Sequence, residues 1–375
     1  MRLALVRQRY NAYGGAERFV ERSLEALHKD GVSVTLIARR WHGDIANVIT
    51  CNPPYIGNVW RDWSFARCVQ QSWKRQAFTL VQSHERIAGC DIYRAGDGIH
   101  LEWLRRRRAP LGFFARLGTY LNPYHWYVLH AERSMFTDPK LKAVICNSRM
   151  VRDEVRRSFA LPAEKLHVIY NAIDITHYSP AVRTLGPAVR DTLRIPLDAV
   201  VFLFVGSGFR RKGLAAVLQA LPPSAHLIVV GKDRKARRFV DLAAAHGCAS
   251  RVHFVGGQND VRPYYGAADA LVLPSLYEPF SSVVIEAMAC GLPCVTSIRN
   301  GAAEAIVDAT NGYICDRPGG LSLSEILTLL LDVEQRRRCG EAAHAAAQQF
   351  SMPIMTQQLQ ALYSTLIAAQ RGDAV

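Results

Sequence analysis

Two α/β domains, each built on a parallel sheet, are the fold class this chain predicts, and three observations lead there. Short apolar runs recur along the 375 residues, with stretches of helical periodicity between them. Gly14-Gly15 and Gly206-Ser207-Gly208 each follow an apolar run directly and precede a helical pattern. Between the two series lies a segment rich in turn formers with no long periodic run.

In chain order, Leu3 to Val6 reads as a strand, Tyr13-Gly14-Gly15 as a tight turn, and Ala16 to His28 as a helix carrying Phe19, Val20, Leu24 and Leu27. Val34 to Ala38, Leu80-Val81 and Val144 to Cys146 extend the same sheet. The turn-rich segment, Tyr170 through Pro187, places a linker at about 172–190 and divides the chain into domains 1–180 and 181–351. A second strand series then runs through Val200 to Phe204, Leu227 to Val230, Val252 to Val255, Ala270 to Leu273 and Cys294 to Thr296. A last helix is expected from Met352 to Ala369.

Composition narrows the class. A 49% hydrophobic content and a mean hydropathy near zero fit an ordinary globular protein with a sizeable core. No apolar run reaches the roughly 18 residues that a membrane span needs, and Met1 to Val6 is too short for the apolar stretch of a signal peptide, so a cytoplasmic location is expected. Nine cysteines without paired spacing fit reduced, buried thiols, and Cys290 and Cys294 have no neighbouring His or Cys to complete a metal site. The net charge of +14 is unevenly placed. Residues 1–183 carry 28 Lys and Arg against 16 Asp and Glu, a net of +12, while the remainder is nearly neutral. An anionic membrane, a phosphorylated acceptor or a nucleic acid would each suit the basic half.

The richest motif is Glu278-Pro-Phe280-Ser281-Ser282-Val-Val-Ile-Glu286, a loop after a strand running into a helix with Ser281 or Ser282 near its N-cap. Free N–H groups there, with two carboxylates, suit a phosphate or a sugar hydroxyl; two solvated glutamates beside a capped helix is the other reading. Gly206-Ser-Gly-Phe-Arg210-Arg211-Lys212-Gly213 brings cations beside flexible backbone, fit to hold a pyrophosphate or simply to form a solvated basic turn. It lacks the Lys-Ser/Thr ending of an ATPase phosphate loop, and no Asp-x-Asp occurs to hold a diphosphate through a metal. Asp97, between Gly96 and Gly98, is expected at a strand end, as a site residue or as a turn former. Arg105, Arg106, Arg107 and Arg108, followed by Phe113, Phe114 and Tyr120, suit either an anionic lipid surface or a solvated run over a core-facing helix.

Taken together, Gly14-Gly15, Val144-Ile-Cys-Asn147-Ser148, Val168-Ile-Tyr-Asn171-Ala-Ile-Asp174, the Arg211-Lys212-Gly213 loop, Leu273-Pro274-Ser275 and the Glu278/Glu286 motif resemble the retaining glycosyltransferases of family 4 along nearly the whole chain. The resemblance implies the GT-B fold, two Rossmann-like domains facing a central cleft. The N-terminal domain would bind the acceptor, the C-terminal domain the nucleotide-sugar, and a helix at about 352–375 would cross back to the first. Within the family the chain is most similar to enzymes that add glucose from UDP-glucose to the heptose of a lipopolysaccharide core, working on the cytoplasmic face of the inner membrane, with no cofactor and no metal.

The resemblance also implies roles. Arg211 and Lys212 would bind the donor diphosphate, with Gly206 beside them. Glu286 would accept from the ribose hydroxyls, Glu278 would meet the donor sugar, and N–H groups of Phe280, Ser281 and Ser282 would hold sugar or phosphate. Gly14 and Gly15 would close on the donor, and Asp97 would contact the donor sugar or the acceptor hydroxyl. Ser281 stands where relatives usually carry Gly, which matters if the turn needs a glycine-only conformation. A transferase of capsule or exopolysaccharide assembly using another UDP- or GDP-sugar is the nearest alternative; a nucleic-acid-binding protein has only the charge in its favour.

Overall fold

The computed structural model describes residues 1–8, 32–41, 47–108 and 121–372, so Gly14, Gly15, the helix expected over 16–28 and the aromatics Phe113, Phe114 and Tyr120 lie outside the described residues. The described chain forms two compact units, Met1–Asn171 with Met352–Val375, and Ala172–Ser351.

In the first unit β1 (Arg2–Val6) is apolar along most of its length because it lies inside a parallel sheet, pairing with β2 (Ser33–Ala38) on one side and β4 (Leu80–Ser83) on the other. With β3 (Val48–Thr50), β5 (Ile92–Ala95), β6 (Ala143–Cys146) and β7 (Leu166–Val168) the order is β3-β2-β1-β4-β5-β6-β7. The sheet packs on α1 (Gly57–Arg75), whose Phe65, Val69 and Trp73 join Val6, Tyr93 and Val144 in one core. Two further helices, α2 (His100–Arg108) and α3 (Arg149–Phe159), follow the later strands.

Two strands of this sheet escape the sequence pattern for local reasons, and a third, β5, is signalled only by the strand end expected at Asp97. β3 and β7 have only three residues each. β5 carries Arg94 in its middle, which breaks the apolar run; its guanidinium is buried and donates to Asn171 Oδ1 at 2.8 Å.

The second unit begins earlier than the expected boundary, and the expected linker is not one. Residues 180–185 form a 3₁₀ turn and α4 (Gly186–Thr192) follows. Both belong to the second unit's packing, because Arg190 of α4 donates to Asp269 Oδ2 at 2.8 Å and to the carbonyls of Ala267, Leu197 and Ala199. Turn-forming residues hid this order from the sequence. Gly186 and Gly266 serve close approach here, since a Cβ on either would overlap backbone of the facing segment.

The second sheet comprises β8 (Val200–Val205), β9 (Ala225–Val230), β10 (Val252–Gly256), β11 (Ala270–Leu273), β12 (Cys294–Ser297) and β13 (Gly312–Cys315), parallel and ordered β10-β9-β8-β11-β12-β13. β13 was not expected because it opens on a glycine. After β8, where one helical pattern is expected to follow the glycine loop, the structure has two helices: a single turn, α5 (Phe209–Lys212), then α6 (Leu214–Ala220). Gly213 separates them with φ 83°, and a Cβ there would overlap the carbonyl of Pro274. α7 (Arg262–Ala267) precedes β11, and α8 (Ser282–Ala289) follows the loop after it. The chain ends in α9 (Met352–Gly372), whose Tyr363 hydroxyl donates to Gln82 Oε1 of β4 at 2.7 Å within the first unit.

All nine cysteines are free and eight are buried. Burial pushes the Cys290 thiol up to about 12, with Glu286 adding to the rise, so it stays protonated at neutral pH.

Candidate functional site

Each sheet reverses its strand order once, and a parallel sheet leaves a crevice at such a point, beyond the carboxyl ends of the strands. In the second unit the reversal lies at β8, between β9 and β11. The loop Gly206–Gly213 leaves β8 and the loop 274–281 leaves β11, so topology alone sets the basic motif against the acidic one. The contact is direct: Leu276 N–H donates to Arg211 O at 2.8 Å.

Lys212 Nζ lies 2.8 Å from Glu278 Oε2, and the Arg211 guanidinium donates to the same oxygen. Lys212 is buried with its aliphatic stem against Gly206, where a Cβ would crowd Lys212 Cε at 3.2 Å. Burial pushes the Lys212 ammonium below its ordinary value, and the Glu278 carboxylate opposes this only in part. For Glu278, burial alone would raise the carboxyl, but the Lys212 and Arg211 charges outweigh it and hold it below its ordinary value of 4.5. The sign follows: this contribution to folding is complete above the unfolded carboxyl's value and is lost as pH falls through the lower folded one.

Neighbouring loops fix these groups. Phe209 N–H donates to Asp233 Oδ2 at 2.8 Å, which anchors α5, and Lys232 N–H donates to Ser207 Oγ at 3.2 Å. The backbone of Glu278 pairs with the loop after β12, donating to Arg299 O at 3.0 Å and accepting from Gly301 N at 2.9 Å. Asn300 in that loop was not foreseen, although its Asn-Gly step is a turn signal. Its Oδ1 accepts from Ser281 N at 3.2 Å and Ala302 N at 3.1 Å.

That bond corrects one expectation: the Ser281 amide, counted among the anion donors, is held by Asn300. Ser281 is the N-cap of α8, with φ −91° and ψ 105°, ordinary extended backbone that needs no glycine. Nor does its side chain cap the helix. Its Oγ is buried and makes no hydrogen bond among the described residues. A Ser281→Ala variant is therefore expected to melt no lower than the parent and up to several degrees higher, because desolvating an unpaired hydroxyl costs about 1–3 kcal/mol. Calorimetry checks the sign; a lower midpoint would show that the hydroxyl is satisfied.

Phe280 is buried with its ring 5.9 Å from that of Phe350, and Ser282 opens α8. Glu286, one turn on, is only 4% exposed. The Tyr265 hydroxyl donates to its Oε2 at 2.9 Å, and no donor among the described residues meets Oε1. Tyr265 gave no signal in the sequence.

In the first unit the reversal lies between β1 and β4, and Asp97 sits in the turn after β5. Arg7, just after β1, lies 3.6 Å from Asp97 and 3.6 Å from Glu85, just after β4. Asp97 and Glu85 border a cavity of 190 Å³ lined also by Gln8, Asp62 and Tyr124. Asn147 donates to Gly96 O at 2.9 Å and holds the Asp97 turn.

The arginine run of α2 does not form one free face. Arg105 is 62% exposed beside Glu102 at 2.6 Å, but Arg106 turns to the buried Glu154 of α3 at 2.8 Å. A buried carboxylate needs a charge partner, which removes Arg106 from the expected lipid surface. The side chains of Arg107 and Arg108 lie outside the described residues. Among the described residues no group of three or more His, Cys, Asp or Glu is gathered to hold a metal, and no helix is long and apolar enough to cross a membrane.

Comparison with known proteins agrees with this architecture. Residues 13–177 match the family model described as Glycosyltransferase Family 4, and residues 187–346 match Glycosyl transferases group 1. The chain is 31% identical over 351 residues to the lipopolysaccharide core biosynthesis glycosyltransferase LpsE of Rhizobium meliloti, covering 92% of this chain and 94% of LpsE. It is 28% identical over 330 residues to the lipopolysaccharide glucosyltransferase WaaG of Escherichia coli K12, covering 85% and 86%. A crystal structure of WaaG, a glycosyltransferase involved in lipopolysaccharide biosynthesis, superimposes with a TM-score of 0.79 at 26% identity, over 95% of this chain and 98% of that one. With two parallel-sheet, Rossmann-like units of the GT-B fold class and relatives matched over nearly its full length, the chain belongs to glycosyltransferase family 4.

Proposed function

We propose that this glycosyltransferase moves glucose from UDP-glucose to a heptose of a lipopolysaccharide core, with retention of configuration and without a metal. The observation that carries the reading is the Arg211–Lys212–Glu278 cluster at the reversal point of the second sheet: two cations past the carboxyl end of β8, held by a carboxylate past that of β11. The likeness to WaaG and LpsE supports the choice of acceptor class, and the glucosyl name of WaaG supports the choice of sugar.

Arg211 and Lys212 take the donor diphosphate and stabilise the charge that grows on it as it leaves. Glu286, with Oε1 uncommitted, accepts from the ribose, and Glu278 borders the donor sugar. Asp97 serves the donor sugar or the acceptor hydroxyl. The acceptor oxygen bonds to the anomeric carbon on the face from which the phosphate oxygen departs. The departing phosphate oxygen takes the acceptor's proton, so the products are the new glycoside and a nucleoside diphosphate. Attachment to an anionic membrane at the cytoplasmic face belongs to the same proposal, and Arg105 is the described member of the arginine run left open for it.

Thermal shift with UDP- and GDP-sugars side by side, in EDTA, tests the donor. Stabilisation by UDP-glucose is expected, growing with the logarithm of its concentration above Kd. A response confined to GDP-sugars would overturn the donor assignment, and a response only after metal is restored would overturn metal independence.

A further inference from the structure

α1 is anchored to the core by one face only. Ser64, Phe65, Val69 and Trp73 are buried beneath it. The opposite face holds Ile56, Trp60, Trp63, Arg67, Gln71 and Lys74, spaced four, three, four, four and three residues apart, which is a single stripe along a helix. Its first three members are large and apolar, yet Ile56 is 80% exposed, Trp60 47% and Trp63 48%. Arg67 lies over the Trp63 ring, 5.7 Å from its centroid. The stripe therefore passes from apolar to cationic within one helix.

We infer that this face of α1 rests on an anionic lipid bilayer, with Ile56, Trp60 and Trp63 among the headgroups and upper acyl chains, and Arg67 and Lys74 on lipid phosphates. Tryptophan beside arginine or lysine is the pairing that settles at a membrane interface, where an amphipathic ring meets both phases. Charge agrees: this half of the chain carries the net +12, and Lys74 and Arg75 close the helix. The stripe holds no carboxylate to accept from sugar hydroxyls, which disfavours a glycan. The surface is separate from the arginine run of α2; the inference deepens the membrane attachment proposed above by naming another face for it, and does not depend on the donor or acceptor.

The test is sedimentation of the full chain with vesicles of phosphatidylcholine containing about one-third phosphatidylglycerol, against phosphatidylcholine alone. The parent is expected to bind the anionic vesicles, and acyl-brominated lipid is expected to quench its tryptophan emission. Trp60→Ser with Trp63→Ser should weaken partitioning by about tenfold or more and abolish most of the quenching. Arg67→Gln with Lys74→Gln should weaken binding to anionic vesicles only. These side chains are exposed, so melting temperature and the response to nucleotide-sugars should stay at parental values. Equal binding by the tryptophan variant overturns the inference, as does loss of binding only when Arg105 to Arg108 are neutralised. A parental dimer that the tryptophan variant breaks, without vesicle binding, would make the stripe a protein interface instead.

Discussion

Lys212→Ala is expected to lower kcat/KM by about 10²–10³-fold, the loss typical when one fixed donor to a developing anion is removed from a site shielded from water. Lys212 is the better choice of the two cations because it is buried with its stem against Gly206, whereas Arg211 is the more exposed. A flexible cation in water would reorganise as charge moves; this one is held by its surroundings before the donor arrives. The loss should fall mainly on kcat, because charge on the diphosphate is greatest at bond breaking. Steady-state kinetics with donor affinity measured separately make the distinction. A compensating change is built in: without Lys212, Glu278 keeps Arg211 alone, so its carboxyl moves back towards its ordinary range. Lys212→Met keeps the stem and removes only the charge, which separates lost packing from lost electrostatics. If kcat in either variant stays within about twofold of the parent, less than 1 kcal/mol of barrier, the assignment to the leaving diphosphate fails.

The largest effect on stability is expected at Arg190. Its guanidinium donates to Asp269, to Ala267 O, and to the carbonyls of Leu197 and Ala199, so it ties α4 to the turn before β8 and to the strand entry at β11. Asp269 also accepts from Val201 N at 2.8 Å. Truncation to Ala takes the close charge partner from Asp269, which among the described residues keeps only Val201 N–H and Arg183 at 4.0 Å, and strips several carbonyls of their donor in a largely closed space, a situation that costs about 3–5 kcal/mol. For a unit of this size the midpoint should fall by roughly 10 °C. Arg190→Lys is expected to recover only a minor part, since an ammonium has no planar fork to reach carbonyls on two sides. A destabilisation below about 1 kcal/mol in denaturant titration would show that the network is replaceable by water.

Legibility from sequence divides along physical lines. Strands buried on both faces, such as Val200–Val205 and Ala270–Leu273, announce themselves because a parallel sheet needs continuous apolar runs. Strands of three residues, or one with Arg94 at its centre, carry too little pattern. The basic and acidic motifs could be read singly, but their meeting depends on two strands far apart in sequence lying side by side. Partners that act through one side chain, such as Asn300 and Tyr265, left no periodic trace. The segment 172–190 misled because prolines and glycines that usually break structure here start a helix and allow close packing. Charge runs misled similarly: Arg106 looks like surface until Glu154 is found beneath it.

One consequence of the Lys212–Glu278 contact concerns what the resting protein ignores. The two cations already hold an anion of their own, the Glu278 carboxylate, which cancels one of their two charges. On the proposed reading, an incoming diphosphate competes with this internal anion for the two cations, so binding is an exchange in which carboxylate contacts are given up. A small, lone anion offers only a like-for-like replacement. On the same proposed reading, a ligand that brings a second foothold, through a ribose at Glu286, gains where the lone anion does not. The carboxylate, on the proposed reading, therefore acts as a filter, favouring ligands with a second foothold over small phosphates.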